Sequence, residues 1–208
     1  MPNKKLLILT GPQGSGNHLW SKIFALHPKV FGWRALLDTY WIGHHNEPFS
    51  LYWKNPDLLH AFDWDKSNYF VTSISCPYIY DKKPNIPNYF QFFNIARLYC
   101  DTTFVIIGRD KNILEKQEER VRGEKTYDKL LQEIKNIRYA NKKFISTELL
   151  YLYKQEYLKT LNDDFPIDYT NSMINEILKQ DPNKKYISNV EAQPLDNEVI
   201  KAYEQSKR

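Results

Sequence analysis

Short, wholly apolar runs bounded by glycine, proline and polar turns alternate along this chain with segments whose apolar residues recur every three or four positions. The first run, Leu6 to Leu9, stops at Gly11-Pro12 and predicts a strand buried on both faces. Leu19, Ile23 and Leu26 then share one face of a helix predicted over residues 17–26, which Pro28 ends. Val30 to Trp33 predicts a short second strand, and Tyr69 to Ser75, β-branched and aromatic, predicts a third that ends at Cys76-Pro77. The following loop to Pro87, with Lys82, Lys83 and Pro84, is expected to be exposed. Apolar positions 89, 92, 93 and 96 predict a helix over 88–99. Phe104 to Ile107 predicts a fourth strand, and residues 111–140 two charged helices divided at Gly123. Lys143 to Asp168 predicts a strand, a helix start at Ser146-Thr147 and a helix with apolar positions 149, 150, 153, 157, 158 and 161. Two short helices, near 171–178 and 196–205, close the pattern around a Lys184-Lys185-Tyr186 turn. Strands alternating with helices predict an α/β fold of three layers, a central, mainly parallel sheet flanked by helices.

At 208 residues this is expected to be a single domain, 1–208, in which 33–68 forms an irregular insertion and 169–208 a C-terminal helical segment. The net charge is +4 and the pI near 8.8, mild for a dedicated nucleic-acid binder and better suited to a small anionic ligand. Leu6 to Leu9 is too short for a signal or membrane span, so no membrane partner and a cytoplasmic location are expected. Cys76 and Cys100 lack a paired or zinc-like spacing and are expected to be reduced, buried thiols. Aromatic residues make up 15% of the chain and crowd residues 33–64, with Trp33, Tyr40, Trp41, Tyr52, Trp53 and Trp64 beside His44, His45, Glu47 and His60. This stretch either lines a ligand crevice, where aromatic faces and His and Glu side chains suit a hydroxyl-bearing compound such as a sugar, or packs a satellite core.

Three glycines in six residues connect the first strand to the first helix. Gly11, Gly14 and Gly16 permit positive φ and close approach of backbone to a ligand. The amides of Ser15, Gly16, Asn17 and His18 would point at an anion beside the positive end of the helix. The spacing Gly11-x4-Gly16 fits the Walker A frame, GxxxxGK[ST], up to its last two positions, where Asn17 and His18 replace the lysine and the magnesium-binding hydroxyl. An enzyme that transfers a less charged group without a metal can keep such a loop and lose both. A loop of this kind retained only for packing has the same sequence. Arg109-Asp110, delivered by the fourth strand to the same sheet edge, reads either as an anion contact or as a local salt bridge capping the next helix.

The run GPQGSGNHLWSKIFALHP resembles the 5'-phosphosulfate-binding loop of sulfotransferases, with Gly11, Pro12, Ser15, Gly16, Leu19, Ala25, His27 and Pro28 on the family pattern and Gly14, Asn17 and His18 departing from it. Thr103 to Leu114 resembles the family's 3'-phosphate-binding strand and turn through Arg109 and Asp110, with Gln117 where the family has a serine. The strand and helix after Lys143, ending in Phe165-Pro166, resemble its late segment. The three likenesses follow the family's order over residues 4–168. The resemblance implies a P-loop-type fold and transfer of a sulfuryl group from 3'-phosphoadenosine-5'-phosphosulfate (PAPS) to a hydroxyl or amine of a small-molecule or glycan acceptor, leaving 3'-phosphoadenosine-5'-phosphate (PAP), with no metal. It implies cofactor contacts from Gly11, Gln13, Gly14, Ser15, Gly16, Asn17, His18, Arg109, Gln117, Lys184 and Lys185. Loop donors including His18 would stabilise the departing phosphate, and His44, His45 or Glu47 would act as the base. A P-loop nucleotide or small-molecule kinase and a non-catalytic protein with a relict nucleotide pocket are the rival readings.

Overall fold

The computed structural model describes residues 4–39, 42–80, 83–121 and 126–179, the stretch 117–121 by its backbone alone. Five parallel strands form the central sheet: β1 (Lys5–Gly11), β2 (Val30–Phe31), β3 (Tyr69–Ser75), then, after the small antiparallel pair β4 (Tyr78–Tyr80) and β5 (Lys83–Asn85), β6 (Asp101–Gly108) and β7 (Asn141–Ser146). Their order is β2-β3-β1-β6-β7. β1 lies centrally, paired with β3 from Lys5↔Tyr69 to Gly11↔Ser75 and with β6 from Lys5↔Asp101 to Thr10↔Ile106. This explains its unbroken apolar run, since a strand with neighbours on both edges and helices on both faces meets no water.

The two-residue period of a strand sends successive side chains of β1 into different cores. Leu6 and Ile8 join Phe70, Phe104 and Ile106 on one face, beneath α3 (Tyr89–Ala96) and α5 (Tyr127–Asn136). Leu7 and Leu9 join Val71, Val105, Ile107 and Ile145 on the other, beneath α1 (Asn17–Ala25), α6 (Thr147–Leu161) and α7 (Met173–Lys179). The three-layer α/β architecture expected from the alternation of patterns is therefore present. Among the described residues no helix is long and apolar enough to cross a membrane.

The aromatic insertion packs as core. Between β2 and β3 the chain makes short 3₁₀ turns and one helix, α2 (Ser50–Lys54). Phe49, Trp53, Phe62 and Trp64 from this stretch are buried against the α3 face of the sheet. The Trp53 ring stacks on Phe92 of α3 with centroids 3.7 Å apart, and its Nε1 donates to Thr72 Oγ1 of β3 at 2.9 Å. Phe49, Trp53, Phe62 and Trp64 thus pack as core, as one of the two readings expected; Tyr40 and Trp41 lie outside the described residues.

Other differences from the sequence pattern are local. The loop expected after Cys76 contains the β4–β5 hairpin, hidden in the sequence by Pro84 and two lysines. The helix expected over 88–99 is the shorter α3, started by the Asn88 side chain, which accepts from the Gln91 amide. The two charged helices expected over 111–140 are present as α4 (Lys111–Val121) and α5. α6 breaks at Lys154, whose φ of 50° is left-handed. The helix expected at 196–205 and the Lys184-Lys185 turn lie outside the described residues.

Replacing Trp53 with Ala removes a buried ring stack and leaves the Thr72 hydroxyl without its indole donor, so about 3–5 kcal/mol of stability is lost. Urea unfolding monitored by far-UV circular dichroism measures this, and Trp53→Phe, which retains the stack, is expected to lose less.

Candidate functional site

In a doubly wound sheet, ligands bind outside the carboxyl ends of the strands where adjacent connections leave in opposite directions. Here that point lies between β1 and β6. The connection after β1 runs to β2 on one side of it, and the connection after β6 runs to β7 on the other. The glycine loop follows β1 and Arg109 follows β6, so both sequence signals arrive at one edge.

The loop, residues 11–16, is closed by Ser15 N donating to the Pro12 carbonyl at 3.1 Å. Gly14 and Gly16 have φ of 86° and 110°, values that L side chains rarely adopt. Gly11 is glycine for a different reason: a Cβ there would stand 2.3 Å from Ser15 Oγ and 2.9 Å from the Ile107 carbonyl. The loop thus lies directly on the end of β6. α1 begins at Asn17 with no side chain capping its N-terminus. An uncapped first turn of nine-residue α1 directs amides and the positive end of its dipole at the loop concavity.

The loop's polar side chains point into the protein. Gln13 Nε2 donates to the Pro77 carbonyl at 2.7 Å, and Asn17 Nδ2 to Ser75 Oγ at 2.7 Å, tying the loop to the end of β3. Cys76 N completes this tie by donating to the Gly11 carbonyl at 3.0 Å. On the opposite side Thr147 Oγ1 donates to the Ser15 carbonyl at 2.7 Å and accepts from Trp20 Nε1 at 3.1 Å. Ser15 and Thr147 are completely buried.

His18, on the first turn of α1, bonds through Nε2 to the Ile42 carbonyl at 2.9 Å. A carbonyl only accepts, so this nitrogen carries the proton. The ring packs against Trp33 and edge-on against His44, with centroids 4.9 and 4.6 Å away. Burial lowers the His18 pKa, the Ile42 contact opposes this, and Lys22 adds a smaller lowering. His18 is therefore held neutral, as its place at the positive end of a helix favours. Lys22 itself turns away from the loop, donating to the Thr39 carbonyl at 2.8 Å.

The three candidate bases occupy different surroundings. His44 touches His18 and Trp33. His45 is exposed, with Nε2 bonded to Asn46 Nδ2 at 2.8 Å. Glu47 is buried, its oxygens accepting from Phe49 N at 2.8 Å and from Ser73 N at 3.3 Å. β2 pairs with β3 only at Tyr69 and Phe70, so the Glu47 carboxyl takes an edge amide of β3 beyond the reach of β2. Burial pushes the Glu47 pKa up to about 8, against the lowering effect of Thr72, Phe49 and Ser73.

Arg109 is the most unusual group at this edge. Its side chain is 3% exposed, Nε lies 3.1 Å from Glu148 Oε1 at the start of α6, and the guanidinium sits 5.6 Å from the Tyr151 ring centre. Among the described residues, neither Nε nor Nη1 has a hydrogen-bond partner of good geometry. Asp110 is not its ion-pair partner; the Asp110 carboxylate caps α4, accepting from Asn112 N at 2.9 Å and Ile113 N at 3.1 Å. Gln117 lies on α4 two turns on, where only the backbone is described. Lys184 and Lys185 lie outside the described residues.

Thr147, Glu148, Trp20 and Ser75 complete the site and were not singled out as its parts from the sequence. Ser146-Thr147 was visible as a helix start, and Ser146 does cap α6 by accepting from Leu149 N at 3.2 Å. No protein-family model, curated protein or solved structure matches this chain.

Two outcomes follow from this geometry. Thr147→Val keeps the shape but leaves the Ser15 carbonyl and Trp20 Nε1 buried without a partner, so it costs about 2–4 kcal/mol in urea unfolding, while Thr147→Ser retains most of the stability. Glu47 holds its proton in the folded state up to about pH 8 and releases it from its ordinary value of 4.5 once unfolded. The folded state therefore binds more protons between those values, and stability falls as pH rises from about 4.5 to about 8. Thermal melts across that range should show this slope, and Glu47→Gln should flatten it.

Proposed function

We propose that the chain is a sulfotransferase-like enzyme that binds PAPS across the β1–β6 edge and transfers its sulfuryl group to a hydroxyl-bearing acceptor. The observation that carries the reading is the buried Arg109 guanidinium at the same edge as the glycine loop, whose Nη1 has no acceptor among the described residues. Leaving a buried donor unpaired is costly, and a cation more so, unless a ligand supplies the acceptor. An uncapped helix start at the loop and an incompletely paired arginine after β6 make two anion positions on one ligand path. PAPS carries a 5'-phosphosulfate and a 3'-phosphate, one for each.

The departures from the sulfotransferase pattern have a consistent place in this reading. Asn17 and Gln13 hold the loop to β3, and His18 is neutral, so charge on the departing 5'-phosphate is met by backbone amides. In transfer, the acceptor oxygen forms a bond to sulfur as the sulfur–oxygen bond to the 5'-phosphate breaks, and that bond's electron pair leaves on the phosphate. The acceptor's proton passes to a base. Among His44, His45 and Glu47, His44 is the one whose ring contacts His18 on the first turn of α1, just after the loop.

Titration calorimetry with PAP tests the reading. Binding is expected, and Arg109→Ala should weaken it about 10- to 100-fold, the range of one charge-assisted contact of 1.5–3 kcal/mol. Arg109→Lys should recover only part, because an ammonium lacks the fork. Absence of PAP binding to the folded chain, or equal binding by Arg109→Ala, would overturn it.

A further inference from the structure

The two edges of the central sheet are finished differently. At one, β2 pairs with β3 only through Val30 and Phe31, and beyond it the Glu47 carboxyl takes the Ser73 amide, so little of that edge is left to pair. At the other, β7 runs for six residues beside β6, and its far side meets no strand among the described residues. Two observations show which groups of β7 face outward. A Cβ on Gly108 would stand 3.4 Å from the Ile145 carbonyl, so Ile145 turns its backbone toward β6. The Ser146 amide donates away from β6, to the Tyr157 hydroxyl at 2.9 Å. Backbone direction alternates from residue to residue in a strand, so the amides and carbonyls of Lys142 and Phe144 also point away from the sheet. The Phe144 ring beside them is 69% exposed. Lysines commonly keep such edges apart. Here both are engaged by their own chain: Lys142 Nζ donates to the Ile137 carbonyl at 2.6 Å and the Ala140 carbonyl at 3.1 Å, and Lys143 pairs with Asp164 at 2.9 Å.

The sequence of this edge, NKKFIS, is complementary to itself. A two-fold dimer can set the same strand from each copy side by side and antiparallel, and the residue on the axis fixes the register. Axes at Lys142 or Lys143 would place like charges directly opposite one another, which is destabilising. An axis at Ile145 would rest every bonded pair on the Ser146 amide, which Tyr157 already holds. An axis at Phe144 sets ring against ring, Lys143 opposite Ile145 and Lys142 opposite Ser146, with no like charges facing. It also lets the two Phe144 residues exchange both of their amide-to-carbonyl bonds. We propose that the chain forms a two-fold dimer by antiparallel pairing of β7 with β7 of a second copy about Phe144, which joins two five-stranded sheets into one. Such pairing braces the β7–α6 junction, from which Thr147 holds the Ser15 carbonyl and Glu148 meets Arg109. The dimer does not depend on the sulfotransferase reading.

The test is sedimentation of the full chain over a dilution series of about 100-fold in the micromolar range expected for a small interface. A species of twice the 24.8 kDa chain mass should form at the upper end and dissociate at the lower. Phe144→Lys sets two cations face to face on the axis at an exposed position, so it should weaken the dimer at least about 10-fold with an unchanged circular dichroism spectrum. Hydrogen exchange followed by NMR locates the contact on the unaltered chain without any variant. The Phe144 amide should exchange slowly where the dimer is populated and fast where it is not. A monomer at every concentration overturns the proposal, and so does a dimer that survives Phe144→Lys or leaves the Phe144 amide in fast exchange. A monomer whose Phe144 amide is nevertheless slow shows that the chain's own residues 180–208 cover the edge, and overturns the second copy as its partner.

Discussion

The buried Thr147 hydroxyl is the interaction on which the functional edge depends. It gives its proton to the Ser15 carbonyl and receives one from the Trp20 indole, so a single side chain fastens the middle of the glycine loop and the first turns of α1 to the β7–α6 junction. These groups are 132 and 127 residues from Thr147 in sequence. Each is buried, and a buried carbonyl or indole that loses its partner is left without water to replace it. Gly16 is small for the same reason, since a Cβ there would come within 3.0 Å of Thr147 Oγ1. Loop conformation and sheet-edge geometry are in this way one problem with one solution.

The opposite side of the loop is fixed by different chemistry to the same effect. Asn17 to Ser75, Gln13 to the Pro77 carbonyl and Cys76 to the Gly11 carbonyl hold it to β3, and Thr10 meets the Tyr89 hydroxyl behind it. The side chains that would ordinarily be assigned to a ligand thus position backbone. In the proposed reading, an anion would meet a set of amides in fixed orientation and the Arg109 guanidinium. Preorganised dipoles of this kind need no rearrangement when a charge arrives, which is the main requirement for stabilising a leaving phosphate.

Much of the fold was legible because its strands are buried on both faces and therefore read as unbroken apolar runs, LLIL in β1 and FVII in β6. The helices beneath them were legible from spacing, as with Leu19, Ile23 and Leu26. The β4–β5 hairpin was not, because its residues, YIY and KPN, are short and include a proline and a lysine. The aromatic insertion was ambiguous since burial of an indole leaves no mark in sequence; the burial of Phe49, Trp53, Phe62 and Trp64 against the sheet shows which of its rings pack as core. The site was legible to the extent that it is local. Gly11 to His18 and Arg109 stand in recognisable runs, whereas Thr147 on Ser15 and Glu148 on Arg109 are pairings across the sheet edge that no spacing encodes. Glu47 was singled out as chemistry, and its carboxyl is engaged by the β3 backbone.

Glu148 shows why Arg109 can be buried and still be available. Its Oε1 accepts from Asp110 N at 2.9 Å and lies 3.1 Å from Arg109 Nε, so the carboxylate is anchored by backbone before it meets the guanidinium. That contact offsets part of the desolvation of the cation. It also orients the planar group, with the Tyr151 ring beside it, while Nη1 has no acceptor among the described residues. A guanidinium held on one side by a carboxylate and an aromatic ring loses little conformational freedom when an anion engages the other side. With the loop's own side chains turned inward, the proposed reading concentrates the charge that would meet an anion at this edge in one oriented arginine after β6.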